Sequence, residues 1–468
     1  ALLVPLTFHM DAASAVIMLA GIYYGTMYGG STTSILVNVP GEAASVITCL
    51  DGHQMALKGR AGPALGISAF SSFAAGTIGV IGLMFLAPPL ARIALGFGPA
   101  EIFALVVLAF ALVGYLARGS MARALLMAVL GLLLASIGIE TISSKARFTF
   151  GFLNLESGLD LVPLIMGLFG ISEILLSLHE SGEEAAATRT PRFLDLFPTT
   201  QDWREAIAPM ARGSLIGFLV GILPGGTGIV ASFSSYSVER KISKHPEKFG
   251  QGAIEGVAGP EAANNAAAQG AFIPLLTLGI PANSAMALTL GALQIHGVIP
   301  GPLLMKQHPD IFWGVVASMY IGNFLLLVIN LPLIGMWVRL LRVSRPILYP
   351  MIILFCIIGA YGVNNRLFDV GALFFFGFLG YALRRLNFEL APLILGFILG
   401  PIMETNARQA LIISEGKLTV FLSSITASVL LGAAAMIVLS ATISALRHRK
   451  AGGMSALKKE LGASREKE

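Results

Sequence analysis

Charge is scarce in this chain. Asp, Glu, Lys and Arg supply 12% of its 468 residues, about half of the roughly 25% usual in soluble domains, while hydrophobic residues supply 55%. That balance excludes an ordinary soluble fold and points to a polytopic membrane protein. Cysteine is scarcer still: Cys49 and Cys356 alone cannot build a disulfide framework or a metal cluster. The HExxH, paired-Cys and nucleophile-elbow patterns are missing, and with them the usual signatures of metal-assisted and serine hydrolysis, so the chain reads as non-enzymatic. The short alternating segments of an outer-membrane barrel are missing too. The opening ALLVPLTFHMDAAS has neither a basic n-region nor a small-residue cleavage site, so no cleavable signal peptide is expected. It also has no initial Met, which suggests that residues precede it.

Long apolar runs are what the chain has instead. Stretches 63–87, 101–117, 124–139, 161–178, 311–338, 346–362, 369–382, 388–403 and 418–446 reach or approach the length of a membrane span. Backbone groups in lipid must be bonded within their own segment, so these spans are helices. The basic stretches RLLRVSR (339–345) and ALRRLN (382–387) and the basic tail alternate with less basic loops, which places the C-terminus inside. The net charge of +5 comes largely from that tail and reads as a topology signal, not as a nucleic-acid patch.

An internal repeat organises the rest. Shifted by 241 residues, the opening stretch falls on GAFIPLLTLGIPANSAMALT (270–289), matching Gly29 with Gly270, Pro40 with Pro281, Ala44 with Ala285 and Thr48 with Thr289. Ile35, Val37, Val39 and Ile47 fall on Leu276, Leu278, Ile280 and Leu288. Each copy places a proline break after a short apolar run and before small residues. The charge count puts the two copies in opposite orientation, and inverted halves with broken helices are the sequence pointer to a secondary transporter. The expected fold is an all-α polytopic membrane protein with about 10 to 12 membrane segments, in two inverted repeats with broken or re-entrant helices. Residues 1–178 would form the first half, with its N-terminal segment missing, and 179–212 a hydrophilic cytoplasmic linker. Residues 213–446 would form the second half and 447–468 a basic cytoplasmic tail.

Three polar constellations interrupt the apolar pattern. The first is GGSTTSILVNVPGE (29–42), with Ser31, Thr32, Thr33, Ser34, Asn38, Pro40 and Gly41. Half-helix N-termini after such a break present free N–H groups and a positive dipole end to an anion. The bland reading of any single hydroxyl is a bond back to its own helix or to a neighbour. The second is GPEAANNAAAQG (259–270), followed by Pro281, Ala282, Asn283 and Ser284. Paired amides Asn264 and Asn265 are costly in lipid unless they face a polar cavity or glue helices together. The third is Leu223 to Thr227, a Gly-rich unwinding that lacks the Lys-Ser/Thr of a phosphate cradle. Carboxylates Glu42, Asp51, Glu255 and Glu261 flank the breaks and are candidates to carry protons or a cation, with a structural cap the competing reading for Asp51. His53, His296 and His308 read as solvated loop residues.

With these stretches in view, residues 23–66 and 223–281 resemble the large membrane subunit of the tripartite tricarboxylate transporters, and the similarity covers essentially the whole chain. The resemblance implies a bacterial inner-membrane symporter that receives an organic di- or tricarboxylate from a periplasmic substrate-binding protein, works with a small membrane subunit, and is driven by Na⁺ or H⁺. It implies no other cofactor and no nucleic acid, and leaves a homodimer open. The family's motifs fall on Gly30 to Ser34, Asn38, Pro40 and Gly41, and on Pro260, Glu261, Asn264, Asn265, Gly279, Ile280 and Pro281. Two departures stand out: Ala282 where the family usually has Gly, and the absence of the glycine-rich N-terminal segment that partners Leu223–Thr227. The expected substrate contacts are Ser31, Thr32, Thr33, Ser34, Asn38, Pro40, Gly41, Asn264, Asn265, Pro281, Asn283 and Ser284. The coupling-cation candidates are Asp51, Glu261, Gly225, Thr227 and Gly279, with Na⁺ the one metal to consider. No arginine falls inside either motif, so dipoles would hold the anion. The competing readings are a stand-alone carboxylate carrier and an anion channel.

Overall fold

A computed structural model describes residues 6–7, 10–38, 40–117, 120–140, 144–179, 193–333, 336 and 345–443. Val39, most of the expected linker's first half, most of the basic stretch 339–345 and the whole basic tail lie outside the described residues.

The chain is helical, as its apolar runs require. The longer helices are α1 (Ala12–Val37), α2 (Ala61–Ala94), α3 (Pro99–Leu116), α4 (Met121–Ala135), α5 (Leu161–Leu178), α6 (Thr200–Ile222), α7 (Gly228–Ile242) and α8 (Glu255–Gly270). They continue as α9 (Phe272–Leu278), α10 (Ser284–Ile295), α11 (Pro309–Asn330), α12 (Arg345–Asn364), α13 (Leu367–Arg385), α14 (Ala391–Ile413) and α15 (Ile425–Ile443). Among the described residues the one sheet is a two-residue antiparallel hairpin, β1 (Gly138–Ile139) with β2 (Ala146–Arg147). Among the described residues seven helices are long and apolar enough to cross a membrane, and α4, α10 and Tyr349–Asn364 are shorter apolar helices. This is an all-α polytopic membrane protein. Leu367, Phe85 and Ile425 stand exposed, a surface suited to lipid and costly in water.

Two sequence boundaries shift. Helix α6 starts at Thr200, where Thr199 and Asp202 cap each other in a capping box, so the boundary expected at 213 lies inside a helix. The apolar run 418–446 is interrupted at Ser424, which is extended between the turn Val420–Ser423 and α15.

Helix α8 sits at the centre, with every residue from Gly256 to Gly270 buried. Its Gly and Ala residues let α6 approach backbone to backbone: Gly213, Gly217 and Gly221, spaced one turn apart, face Gly259, Ala263 and Ala267 at the same spacing. A Cβ on Gly217 would lie 2.6 Å from the Cα of Ala263. Gly217→Ala is therefore expected to cost about 1–3 kcal/mol, as overpacked cores do, read as a lower melting temperature in detergent. An unchanged melting temperature would show that the two helices can separate freely.

Candidate functional site

The two copies of the repeat build the same local device. Helix α1 ends at Asn38 in the left-handed region (φ 55°, ψ 27°), and α9 ends at the aligned Gly279 with φ 70° and ψ 19°. A proline follows two residues later in each, at Pro40 and Pro281. Glu42 and Asn283, again aligned, then cap the next helical segment. The Glu42 carboxylate accepts the Ala44 N–H at 2.8 Å, and Asn283 Oδ1 accepts the N–H groups of Ala285 and Met286 at 3.1 Å. The third break has the same parts without the repeat: Gly225 is left-handed (φ 82°), and Thr227 Oγ1 caps α7 by accepting from Val230 N at 3.4 Å.

Two of these breaks are joined directly, since Gly225 N–H donates to the Ala282 carbonyl at 2.8 Å. Unwound backbone satisfies unwound backbone there, as the membrane interior requires. The second and third breaks, with Ala43 just after the first, then line one cavity of about 540 Å³. Its walls include Ala43 after the first break, Gly225, Thr227 and Ile229 at the third, and Ala282, Asn283 and Ser284 at the second. Helices α5, α13 and α14 close it with Phe169, Glu173, Arg384 and Leu395, and the α13–α14 connection adds Phe388 and Glu389.

Helix α1 is stitched to this centre along one face. Tyr23, Met27 and Ser31 recur every fourth residue. Tyr23 Oη accepts from Asn283 Nδ2 at 2.9 Å, the Met27 carbonyl accepts from Asn264 Nδ2 at 3.1 Å, and Ser31 Oγ donates to Glu261 Oε2 at 2.5 Å. Glu261 is 1% exposed. Its other oxygen accepts the Thr48 hydroxyl, and Ser68 and Ser72 stand beside it. Among the described residues no Lys, Arg or His pairs with it. Asn264 Nδ2 also donates to Glu42 Oε1 at 2.8 Å, while its Oδ1 is buried without a partner. Asn265 Nδ2 donates to Ser72 Oγ at 2.8 Å and to the Glu261 carbonyl at 3.1 Å.

The structure distributes the sequence candidates over several environments. Asn283, Ser284, Gly225 and Thr227 line the cavity at the breaks. Thr32, Thr33 and Gly41 line a second cavity, of about 560 Å³, along the glycine face of α1 opposite Leu326 and Ile329. Ser31, Asn264, Asn265 and Glu261 form the buried polar cluster on α8. Thr33 and Ser34 bond to the Gly30 carbonyl of their own helix, at 3.1 and 3.2 Å, and Ser34 also meets Ser45. Asn38 and Pro40 are exposed, and Pro281 is buried. Gly41 instead lies against Gly30, where a Cβ would stand 2.7 Å from the Gly30 Cα. Gly279 donates to the Leu275 carbonyl as a helix terminator.

Asp51 is fully buried and fully used. Its Oδ1 accepts three backbone N–H groups, from Gly250, Gly252 and Ala253 at 2.7–2.9 Å, and its Oδ2 accepts the Tyr236 hydroxyl at 2.9 Å. It fastens the loop before α8. Asp51→Ala should strand those donors at a cost of about 2–4 kcal/mol, seen as lost folded protein in detergent, with Asp51→Asn intermediate. Equal yields of folded protein from all three would remove this role. His53 is not simply solvated either, since its Nδ1 meets the Ile35 carbonyl at 3.0 Å.

Sequence reasoning missed two participants. The sequence offers Glu42 as a proton or cation carrier but not as a helix cap, though its register against Asn283 is there in the repeat. Arg384 was read as a topology signal. It lines the break cavity, pairs with Glu173 and stacks over Phe169 at 5.4 Å.

Comparison with known proteins agrees with these features. The description "Tripartite tricarboxylate transporter TctA family" matches residues 1–395. An Agrobacterium vitis protein described as an uncharacterized 52.8 kDa protein in the TAR-I ttuC' 3' region is 48% identical over 450 residues, covering 96% of this chain and 89% of that one. A second Agrobacterium vitis protein, from the TAR-II ttuC' 3' region, is 53% identical over 234 residues, covering 50% of this chain and 97% of its own. No solved structure matches. The chain therefore belongs to the tripartite tricarboxylate transporter TctA family.

Proposed function

We propose that this chain is the membrane permease subunit of a binding-protein-dependent secondary transporter. It imports an organic di- or tricarboxylate into the cell by cation-coupled symport with alternating access. The observation that carries the reading is one cavity shared by the second and third backbone breaks and by Ala43 beside the first, with a buried carboxyl, Glu261, bonded to Ser31 on the same helix α1 that Asn264 and Asn283 bond. The cavity volume falls within the range of small-molecule sites. Helix N-termini at Gly228 and Ser284 face it, and their dipoles favour negative charge. An anion and a coupling cation placed near each other in low dielectric lower each other's cost, which gives coupling its physical cause.

The partners in this proposal are a small membrane subunit and a periplasmic substrate-binding protein, with the chain in the bacterial inner membrane and its C-terminus cytoplasmic. The coupling ion is Na⁺ or H⁺, and a homodimer is compatible with the reading. A stand-alone carrier or an anion channel is the alternative, and the cavity suits either. Membrane vesicles from cells expressing the chain with its genomic neighbours, given labelled succinate, tartrate or citrate, separate these. Accumulation above equilibrium that stops when the cation gradient collapses, and that needs the binding protein, is the expected result. Equilibration without a gradient would leave the channel reading, and no uptake of any of the three acids would remove the carboxylate assignment.

A further inference from the structure

We infer that Arg384 anchors one carboxylate of the transported anion and that Glu173 holds this arginine in its place until the anion arrives. The inference rests on the carrier reading above and names the charged contact within it. Arg384 is the arginine that lines the cavity at the breaks, at the end of α13, with a side chain 24% exposed. Its guanidinium lies over the Phe169 ring at 5.4 Å, which fixes the plane of the fork while leaving its edge free to bond.

The partner it holds is a poor permanent one. The Glu173 side chain is 62% exposed, so the pair is open on one side and its glutamate can be exchanged. A substrate carboxylate inside the cavity competes from a drier position and matches the guanidinium fork with two parallel bonds. The exchange keeps the charge count of the arginine constant, because one carboxylate replaces another. Glu389 also lines the cavity. A second carboxylate of the substrate is left for the α7 and α10 N-termini.

The competing explanation is that Arg384 only marks the cytoplasmic side and complements the α13 C-terminal dipole. Arg385 provides the control, since it is adjacent, equally charged, exposed and absent from the cavity lining. The test compares Arg384→Lys, Arg385→Lys and Glu173→Gln in the full chain. It uses vesicle uptake of whichever of succinate, tartrate and citrate the unmodified transporter accumulates, and the thermal shift of the purified protein with that acid. Arg384→Lys is expected to raise KM about tenfold or more, the loss of a bidentate bond, and to abolish the thermal shift. Arg385→Lys is expected to match the unmodified protein, and Glu173→Gln to keep or lower KM. An Arg384→Lys protein that behaves like Arg385→Lys overturns the inference. So does a Glu173→Gln protein that fails as Arg384→Lys does, since the pair would then be structural. Failure of the carrier reading looks different: the unmodified transporter itself would neither accumulate nor be stabilised by any of the three acids.

Discussion

Glu261→Gln is expected to abolish concentrative uptake while leaving the protein folded. The carboxyl is 1% exposed and accepts the Ser31 and Thr48 hydroxyls, so glutamine fits the space and can still accept a hydroxyl through its carbonyl. What glutamine cannot do is take up and release a proton or offer a negative charge to Na⁺. A buried carboxyl with no Lys, Arg or His paired to it among the described residues is placed where a proton or Na⁺ can bind and leave. Couplings between sites of this kind amount to about 1–3 kcal/mol, or roughly 5- to 150-fold in affinity. Removing the exchangeable charge should therefore bring the accumulation ratio to about unity at high driving gradient, with passive exchange of internal for external substrate retained. A Glu261→Gln protein that still concentrates substrate would make Glu261 a permanent hydrogen-bond hub with no part in coupling.

Asn264→Ala is the second large expected effect, and it acts on affinity. The amide links the carbonyl of Met27 on α1 to the carboxylate of Glu42, and Glu42 in turn caps the segment after the first break. Alanine leaves a partly buried carboxylate short of a donor, a loss of about 1.5–3 kcal/mol for a hydrogen bond to a charged group. At about 1.4 kcal/mol per tenfold, apparent substrate affinity should fall, by up to roughly 100-fold if the whole loss falls on the bound state. Combining Asn264→Ala with Glu42→Ala should cost less than the sum of the two, because each alone removes their shared bond. Strict additivity, or uptake by Asn264→Ala equal to that of the unmodified protein at low substrate, would detach this amide from the site.

The breaks themselves were legible in the sequence because glycine, proline and asparagine report local backbone geometry. Asn38 and Gly279 terminate helices in the left-handed region at aligned positions, and the proline two residues on blocks any continuation. What one-dimensional spacing cannot carry is the pairing of groups some two hundred residues apart. Ser31 was read with the substrate and Glu261 with the cation, yet they bond to each other across α1 and α8. Four neighbouring hydroxyls looked like one cluster. On a helix they point in different directions, so Ser31 faces α8, Thr32 lines the second cavity, and Thr33 and Ser34 fall back on the Gly30 carbonyl. Arginine counting sees Arg384 only as a charge on one side of the membrane, since the cavity it lines is assembled from segments far apart in the sequence, from Ala43 to Leu395.

The central claim is that the first and second breaks open onto one substrate cavity, and thiol protection tests it most directly. Cys49 and Cys356 can be replaced by Ser and Ala, and single cysteines then placed at Ala43, Ser284 and the exposed, off-cavity Asn38. With a water-soluble thiol reagent, Ala43→Cys and Ser284→Cys should both label, both be shielded by the transported acid at the same half-effective concentration, and Asn38→Cys should label unshielded. Shielding at only one of the first two, or equal labelling of both with and without the acid, would contradict the account.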